Sequence, residues 1–412
     1  MTDHFDPLET RDPSRREREQ MAQLSRQIAH AKARTRAFAR RFADIDAGAV
    51  TTRDALARLP VTRKSELAEM QKSDRPFGGF AATRWGDARR AFCSPGPIYE
   101  PEGSAPDYWR LARALHAAGF RRGDLVHNCF SYHFTPAGSM IETGAHALGC
   151  TVFPGGIGQT EQQVQAMADL QPDGYIGTPS FLKIILEKAD ELAIELHSLR
   201  KALVSGEAFL QNVREALAAR GIAGYQVYAT ADVGAIAYET PAREGLVVDE
   251  GVLVEIVRPG TGDVVAPGEV GEVVVTTLNN IDYPLIRFAT GDLSAVLPGV
   301  SPCGRTNMRI KGWMGRADQT TKVKGMFVHP SQIAAIVERH PEIVRARLVV
   351  DNAEGMDRMT LHVEVPANQS SRADAIVDSI RDVTKLRGDV AFHPPGALPN
   401  DGKVIDDARK YS

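Results

Sequence analysis

A run of ten residues, 283–292, combines an apolar stretch with groups that could bind a nucleotide. It reads Tyr-Pro-Leu-Ile-Arg-Phe-Ala-Thr-Gly-Asp, so that apolar residues and Arg287 lead into Thr290, Gly291 and Asp292. The pattern predicts a buried strand that ends in a glycine turn and presents one carboxylate at the edge of a sheet. Such a carboxylate can accept both hydroxyls of a ribose. An aspartate in a turn is, however, as often only a turn former.

Two polar segments follow this run in the second half of the chain. Residues 315–318 read Gly-Arg-Ala-Asp, and Gly402 and Lys403 stand together near the C-terminus. A polar, glycine-bearing segment between two regions of different composition suits a hinge, because few contacts cross such a junction. A lone lysine on a polar tail is normally a solvated surface group. In this order and at this spacing, the three segments resemble those of adenylate-forming ligases of the phenylacetate–CoA ligase family.

The resemblance extends over residues 59–409 and implies an enzyme. Ligases of this family activate a carboxylic acid with ATP to an acyl-AMP and pass the acyl group to coenzyme A, leaving AMP and pyrophosphate. The implied ligands are ATP, Mg²⁺ and coenzyme A, with a small carboxylic acid as the remaining substrate. Aromatic residues at the predicted acid pocket indicate an aromatic or arylacetic acid, and hence a role in aromatic acid metabolism.

The resemblance implies nucleotide contacts from several separate segments of the chain. The implied residues are Asp292, Arg287, Tyr228, Ala229, Thr230, Gly206, Glu207, Arg316, Ser94 and Gly96. Asp232 would reach the magnesium ion through water, because it is one methylene shorter than the glutamate that is usual there. Lys403 would be the catalytic residue, since a flexible ammonium on a closing lid can stabilise the negative charge that accumulates as AMP is transferred.

Further residues are assigned by the same resemblance to the acid pocket and to the hinge. The acid pocket would be lined by Tyr132, Phe134, Gly156 and Ala235. The hinge would be Asp318, and the thiol of coenzyme A would enter beside Lys324 and Gly325. An ordinary core cluster would explain the aromatic rings of the pocket almost as well.

The predicted phosphate loop, residues 93–101, departs from the family pattern. It reads Cys-Ser-Pro-Gly-Pro-Ile-Tyr-Glu-Pro where relatives have a run rich in Ser, Thr and Gly. Each proline removes a backbone donor, and Glu100 adds a negative charge where phosphates would lie. We therefore expect ATP binding to depend unusually on Mg²⁺ and on Arg287, with Glu100 repelling the triphosphate.

The order of helical and strand patterns along the sequence predicts an α/β fold with two domains, and these elements must position the candidate residues. Residues 1–317 are predicted to form a large N-terminal domain of helix-covered sheets with a small β subdomain, and residues 318–412 a small α+β lid domain. Short apolar runs at 125–130, 151–153, 174–176 and 202–204 alternate with helical patterns at 107–118, 160–170 and 210–220, which predicts a parallel sheet. Thr62 is predicted to cap a helix, and Thr160 with Gln163 to form a capping box.

Composition excludes several other classes of protein. With 412 residues, 43% of them hydrophobic, and a net charge of −3, the chain is typical of a globular protein and not of one that binds nucleic acid. No apolar run approaches the roughly 18–20 residues of a membrane span, and the N-terminus lacks the apolar core of a signal peptide. Four scattered cysteines fit the reducing cytoplasm. The oligomeric state stays open, with a homodimer as one option.

Two rival functions stay open at this point. The acyl group could pass to another acceptor, such as a carrier protein or an amine. Alternatively, the eroded phosphate loop is compatible with a ligase-like protein that binds an acyl adenylate or acyl-CoA without making it. Lys403 favours an active enzyme, because a binding module has no evident use for it.

Overall fold

The computed structural model describes residues 4–314, 316–317, 321–324, 326–328, 330–352, 357–366, 373–399 and 403–409, with the side chains of 322, 327, 330 and 331 left undescribed. The chain divides into two compact units, Met1–Met314 and Gly315–Ser412. This division falls three residues before the predicted domain boundary. Both units mix helices and sheets, so the predicted α/β fold class is confirmed. Within the described residues, no helix is long and apolar enough to cross a membrane.

The larger unit begins with a helical layer and continues as alternating helices and strands. Its helices are α1 Pro13–Arg34, α2 Arg36–Arg41, α3 Arg53–Ala57, α4 Lys64–Ser73, α5 Ala112–Ala117, α6 Ala137–Leu148, α7 Thr160–Leu170, α8 Pro179–Glu191 and α9 Gln211–Ala219. Its strands are β1 Thr62–Arg63, β2 Arg90–Ser94, β3 Ile98–Glu102, β4 Leu125–Asn128, β5 Thr151–Phe153, β6 Gly174–Gly177, β7 Lys201–Val204, β8 Ala223–Thr230, β9 Gly234–Glu239, β10 Leu246–Val248, β11 Val252–Val257, β12 Gly271–Thr277, β13 Phe288–Ser294, β14 Val296–Leu297 and β15 Arg309–Ile310.

A nine-stranded sheet forms the centre of this unit. Its order is β14-β15-β10-β9-β8-β7-β6-β4-β5, and the strands from β5 to β8 pair in parallel. Successive side chains of a strand point to opposite faces, so Ile176 and Leu203 pack in one core cluster while Tyr175 and Ala202 pack in another. Both faces of the sheet are therefore covered, as the alternation of strands and helices predicted.

A second sheet of four strands, in the order β1-β13-β12-β11, carries the run 283–292. Strand β1 pairs in parallel with β13, with Thr62 beside Phe288. The pairing of β12 with β13 shifts register between Glu272 and Val274, so that Thr290, Gly291 and Asp292 bulge out of the ladder. The predicted end of the strand at this glycine is therefore wrong, since β13 continues to Ser294.

The smaller unit is an α+β fold with its own core. Its elements are β16 Thr321–Val323, β17 Met326–Val328, α10 Pro330–Arg339, β18 Arg345–Asp351, β19 Arg358–Glu364, α11 Ala373–Thr384, β20 Asp389–His393 and β21 Ile405–Asp407. The sheet order is β20-β19-β18-β21, and Leu348, Leu361 and Ile376 belong to the core. The two helices, the four-stranded sheet and the hairpin β16–β17 make up the described part of this unit.

Three local predictions fail where tertiary contacts take over. Thr62 lies in β1 and does not cap a helix, and α4 begins at Lys64 with no side-chain cap. Gln163 does not complete a capping box, because its amide donates to the carbonyls of Gly155 and Gly156. The helix predicted from residue 107 begins only at Ala112.

Candidate active site

The carboxyl ends of the parallel strands meet at one edge of the nine-stranded sheet. The loops that follow β4, β5, β6 and β7 and the turn between β8 and β9 all lie at this edge. In open α/β sheets, ligands bind in the crevice outside the carboxyl ends of the strands. Most of the site residues predicted in the larger unit belong to these loops or to neighbouring β13.

Asp292 is joined to the nine-stranded sheet through Tyr228. The Tyr228 hydroxyl donates to Asp292 Oδ2 over 2.9 Å and lies 3.2 Å from Thr290 Oγ1. The bulge in β13 turns the carboxylate of Asp292 toward the end of β8, and the residue is only 8% exposed. The structure thus brings together Tyr228 and Asp292, which were predicted from segments more than sixty residues apart.

Trp313 is a residue of this cluster that sequence reasoning missed. Its indole Nε1 donates to Asp292 Oδ1 over 3.1 Å, and the side chain is partly exposed. An indole N–H can only donate a hydrogen bond, so it suits a carboxylate. The available signal was the position of Trp313, two residues before the polar segment that begins at Gly315.

Asp232 lies in the turn between β8 and β9, and its side chain is buried against Lys64. The Lys64 ammonium donates to Asp232 Oδ2 over 2.5 Å. Burial opposes the charge on Lys64, but the carboxylates of Asp232, Glu100 and Asp292 outweigh it and raise the pKa of the ammonium. Lys64 is therefore a charged member of the site that sequence reasoning missed.

Lys64 reaches the site because of one strand pairing. Arg63 of β1 lies beside Ala289 of β13, so Lys64 follows at the level of Thr290 and the bulge. The pairing joins residues more than two hundred positions apart, which no local pattern predicts. The only signal in the sequence was a lysine directly after Leu-Pro-Val-Thr-Arg.

The predicted phosphate loop is the hairpin of β2 and β3, and it is turned inward. Ser94 Oγ donates to Glu100 Oε1 over 2.5 Å, and both residues are buried. Burial and the neighbouring carboxylate of Asp232 raise the pKa of Glu100 to about 8. The expectation that Glu100 repels phosphate from a wet surface is therefore wrong. Ser94 is committed to Glu100, and Gly96 is exposed at the turn of the hairpin.

Arg287 serves the fold and does not face the nucleotide site. It is 2% exposed, and its Nε pairs with Glu255 over 3.0 Å. Its Nη1 donates to the carbonyls of Ala57 and Leu59, and its Nη2 to that of Gly262, over 2.6 to 2.7 Å. Every nitrogen of the guanidinium is thus used to join the helical layer to the β subdomain. This arrangement contradicts the predicted nucleotide contact.

The remaining nucleotide candidates of the larger unit lie near the same edge. Gly206 and Glu207 follow β7 and are exposed, and Glu207 Oε1 accepts the N–H of Ser180 over 2.7 Å. Ala229 and Thr230 end β8 and are partly buried. Ala229 and Thr230 directly follow Tyr228 on β8, which extends past the end of its neighbour β7.

Three of the four acid-pocket residues occur in loops at this edge. Asn128 ends β4 and connects two of them, since its amide donates to the Tyr132 hydroxyl over 2.8 Å and its carbonyl accepts the N–H of Gly156 over 3.0 Å. Phe134 is 81% exposed, and its carbonyl accepts the N–H of Cys93 over 2.8 Å, which ties this loop to the hairpin.

Ala235 does not belong to the pocket in this structure. It is buried in β9, its N–H donates to the Trp109 carbonyl, and it packs in the core cluster. The loop after β5 is instead held by Gln163, whose amide donates to the carbonyls of Gly155 and Gly156. A Cβ on Gly155 would lie 2.5 Å from Gln163 Oε1, so a larger residue there would displace this side chain.

The candidates of the smaller unit are described within that unit. Lys403 donates to Asp406 Oδ1 over 3.1 Å, and its side chain is half exposed. Lys324 occupies the turn of the hairpin β16–β17 at φ 47°, and its N–H donates to the Asp357 carboxylate. Arg316 is partly buried. The predicted residues Asp318, Gly325 and Gly402 lie outside the described residues.

Comparison with known proteins gives the family. The profile of the family described as AMP-binding enzyme matches residues 108–281. The chain is 34% identical over 325 residues to the phenylacetate–coenzyme A ligase of Aromatoleum evansii, covering 75% of this chain and 72% of that one. It is 30% identical over 359 residues to the phenylacetate–coenzyme A ligase of Thermus thermophilus, covering 82% and 79% of the two chains.

The fold agrees with that of a solved ligase. A crystal structure of 2-hydroxyisobutyryl-CoA ligase, in complex with 2-HIB-AMP and CoA, superposes with a TM-score of 0.78 at 23% identity, over 98% of this chain and 92% of that one. At this identity the match supports the fold alone. From the sequence identities over most of both chains, the chain belongs to the phenylacetate–coenzyme A ligase family of AMP-binding enzymes.

Proposed function

We propose that this protein is an AMP-forming acid–CoA ligase. It activates a carboxylic acid with ATP to an acyl-AMP and pyrophosphate, then passes the acyl group to coenzyme A and leaves AMP. The observation that carries the proposal is the cluster of Tyr228 and Asp292 at the carboxyl edge of the parallel sheet, in a chain of this family. That edge is where an α/β sheet binds its ligand.

The adenylation step needs the nucleotide to be held and its developing charge to be stabilised. A carboxylate can accept about four hydrogen bonds, so ribose hydroxyls can join or replace the donors that Asp292 has now. Tyr228 offers an aromatic ring beside it for the adenine. Lys403 supplies the ammonium that stabilises charge on the α-phosphate and the attacking carboxylate.

The thioester step uses the smaller unit in a second role. We assign Asp318 as the hinge and the neighbourhood of Lys324 and Gly325 as the entry of the coenzyme A thiol, on the basis of the family resemblance. Lys324 supports this assignment through its place at an exposed hairpin turn.

The acid is proposed to be aromatic or arylacetic. Support comes from Tyr132, which Asn128 connects to the glycine turn at Gly156, and from Phe134 in the same loop as Tyr132. Aromatic rings suit a flat apolar molecule with one carboxylate. The relatives from Aromatoleum evansii and Thermus thermophilus are phenylacetate–coenzyme A ligases. Four free cysteines are compatible with the reducing cytoplasm as the site of this reaction.

Of the ligands that the family resemblance implies, Mg²⁺ is the one for which the described residues offer the poorest site. The only carboxylate predicted to bind it, Asp232, is buried and already carries the Lys64 ammonium on Oδ2. Across the described residues, no three His, Cys, Asp or Glu side chains are grouped to hold a metal ion. No step of the proposed reaction is therefore assigned to a metal held by the protein.

Isotope exchange between pyrophosphate and ATP, measured across a panel of aryl and arylacetic acids, tests the first step. We expect exchange with at least one arylacetic acid and, after addition of coenzyme A, the corresponding thioester by liquid chromatography. Exchange without thioester formation would indicate another acceptor. Tight binding of acyl-AMP with no exchange for any acid would instead identify a binding protein and overturn the proposal.

A further inference from the structure

The partly buried ammonium of Lys64 lies near two buried acidic side chains, those of Asp232 and Glu100. Asp232 and Glu100 are 1% and 0% exposed, and each keeps one oxygen, Asp232 Oδ1 and Glu100 Oε2, without a hydrogen-bond partner. A buried carboxylate oxygen without a donor is costly. Two buried acidic groups, each with one oxygen that accepts no hydrogen bond, indicate a place that favours positive charge.

The positive charge beside these two acidic groups is supplied by the ammonium of Lys64. Lys64 Nζ lies 2.5 Å from Asp232 Oδ2, and its charge is also favoured by Glu100 and Asp292. Asp232 is the residue from which the family resemblance implies a magnesium contact. A divalent ion on Asp232 Oδ1 would stand next to the Lys64 ammonium on Oδ2, and the two positive charges would repel each other.

We propose that Lys64 is a resident cation which takes the place of a protein-bound divalent ion at Asp232. Without the ammonium, the carboxyl groups of Asp232 and Glu100 would remain in a buried pocket. Mg²⁺ or Mn²⁺ is commonly bound by one or two carboxylates with water completing the shell, and a protonated acid that becomes a ligand releases its proton. The chain would then bind a divalent cation that the natural chain excludes. The inference concerns the proposed active site, but its test requires neither ATP nor turnover.

Binding of Mn²⁺ to the full chain without nucleotide, followed by the loss of the electron paramagnetic resonance signal of free Mn²⁺, tests the proposal. The natural chain should bind no Mn²⁺ at Asp232 at submillimolar concentration. Lys64→Met, which keeps the apolar stem and removes the ammonium, should bind one Mn²⁺ per chain at least tenfold more tightly. Adding Asp232→Asn to that variant should abolish the new binding.

Lys64→Arg is the matched control, because it keeps the positive charge and should still exclude Mn²⁺. Thermal unfolding gives a second readout. Mn²⁺ at ten times its dissociation constant should raise the Tm of the Lys64→Met chain by about 2 °C, and should not raise that of the natural chain.

Two results would overturn the inference. One is tight Mn²⁺ binding by the natural chain that Asp232→Asn removes, since Lys64 would then not exclude the metal. The other is a folded Lys64→Met chain that neither binds Mn²⁺ nor gains stability from it. If Lys64→Met does not fold, the natural chain and Lys64→Arg decide the matter, because Mn²⁺ binding at Asp232 by either contradicts the proposal. An inactive ligase would leave all of these measurements unaffected.

Discussion

Glu100→Gln should remove much of the dependence of stability on pH in the neutral range. The carboxyl group is completely buried, and burial together with Asp232 raises its pKa from 4.5 to about 8. A raised pKa means that the folded state prefers the protonated acid. The stability associated with that proton is therefore full below about pH 4.5, declines as the pH rises, and is lost once the pH passes about 8.

The size of the effect follows from the two pKa values. Each unit of difference between the folded and unfolded pKa values corresponds to about 1.36 kcal/mol. At pH 7 the carboxyl group ionises when the protein unfolds, and this ionisation lowers the free energy of unfolding by roughly 3 kcal/mol. A glutamine resembles the protonated acid at every pH and can still bond to Ser94. The variant and the natural chain should thus have similar stability near pH 4.5, and the variant should gain roughly 2–4 kcal/mol by pH 8.

Urea unfolding monitored by tryptophan fluorescence at several values of pH from 4.5 to 8.5 measures this difference. Glu66→Gln, on the exposed side of α4, is the matched control and should follow the natural chain throughout. Parallel curves for Glu100→Gln and the natural chain would refute the reasoning, because Glu100 would then ionise as freely in the folded state as in the unfolded one. ATP affinity at pH 7 should stay nearly constant in Glu100→Gln at any ionic strength, contrary to the expectation from sequence.

Three further substitutions separate binding, folding and catalysis. Asp292→Asn should weaken ATP binding roughly tenfold to a hundredfold by calorimetry, with little change in Tm, because it removes a charged acceptor; a normal affinity would make Asp292 a structural residue. Arg287→Met should cost about 3–5 kcal/mol of stability, because it leaves Glu255 buried without its partner. Adding Glu255→Gln should recover part of that loss, and a selective loss of ATP affinity without destabilisation would restore the nucleotide role of Arg287. Lys403→Ala should slow acyl-adenylate formation about 10²–10³-fold in single-turnover assays while sparing thioester formation from preformed acyl-AMP; equal losses in both steps would contradict its assigned role.

Local patterns predicted the elements whose signals are strong within a short window. The helix α7 and the strand β5 have the predicted bounds, since each is a periodic or apolar run closed by turn residues. Predictions failed where a polar side chain had a distant partner. Gln163 was predicted to cap α7, but it holds the loop after β5, because three glycine carbonyls lie within its reach.

The sequence by itself determined the family and the α/β class, and it singled out two of the segments that meet at the candidate site. Those conclusions depend on residue types at fixed spacing, and Asp292 and Tyr228 could be identified without knowing that they touch. Only the tertiary structure decided the roles of charged residues whose partners are distant in the chain. Arg287 has a structural role because Glu255 and three carbonyls surround its guanidinium. Lys64 belongs to the candidate site because β1 pairs with β13. The free energy of a buried charge depends on its neighbours, and those neighbours are set by folding.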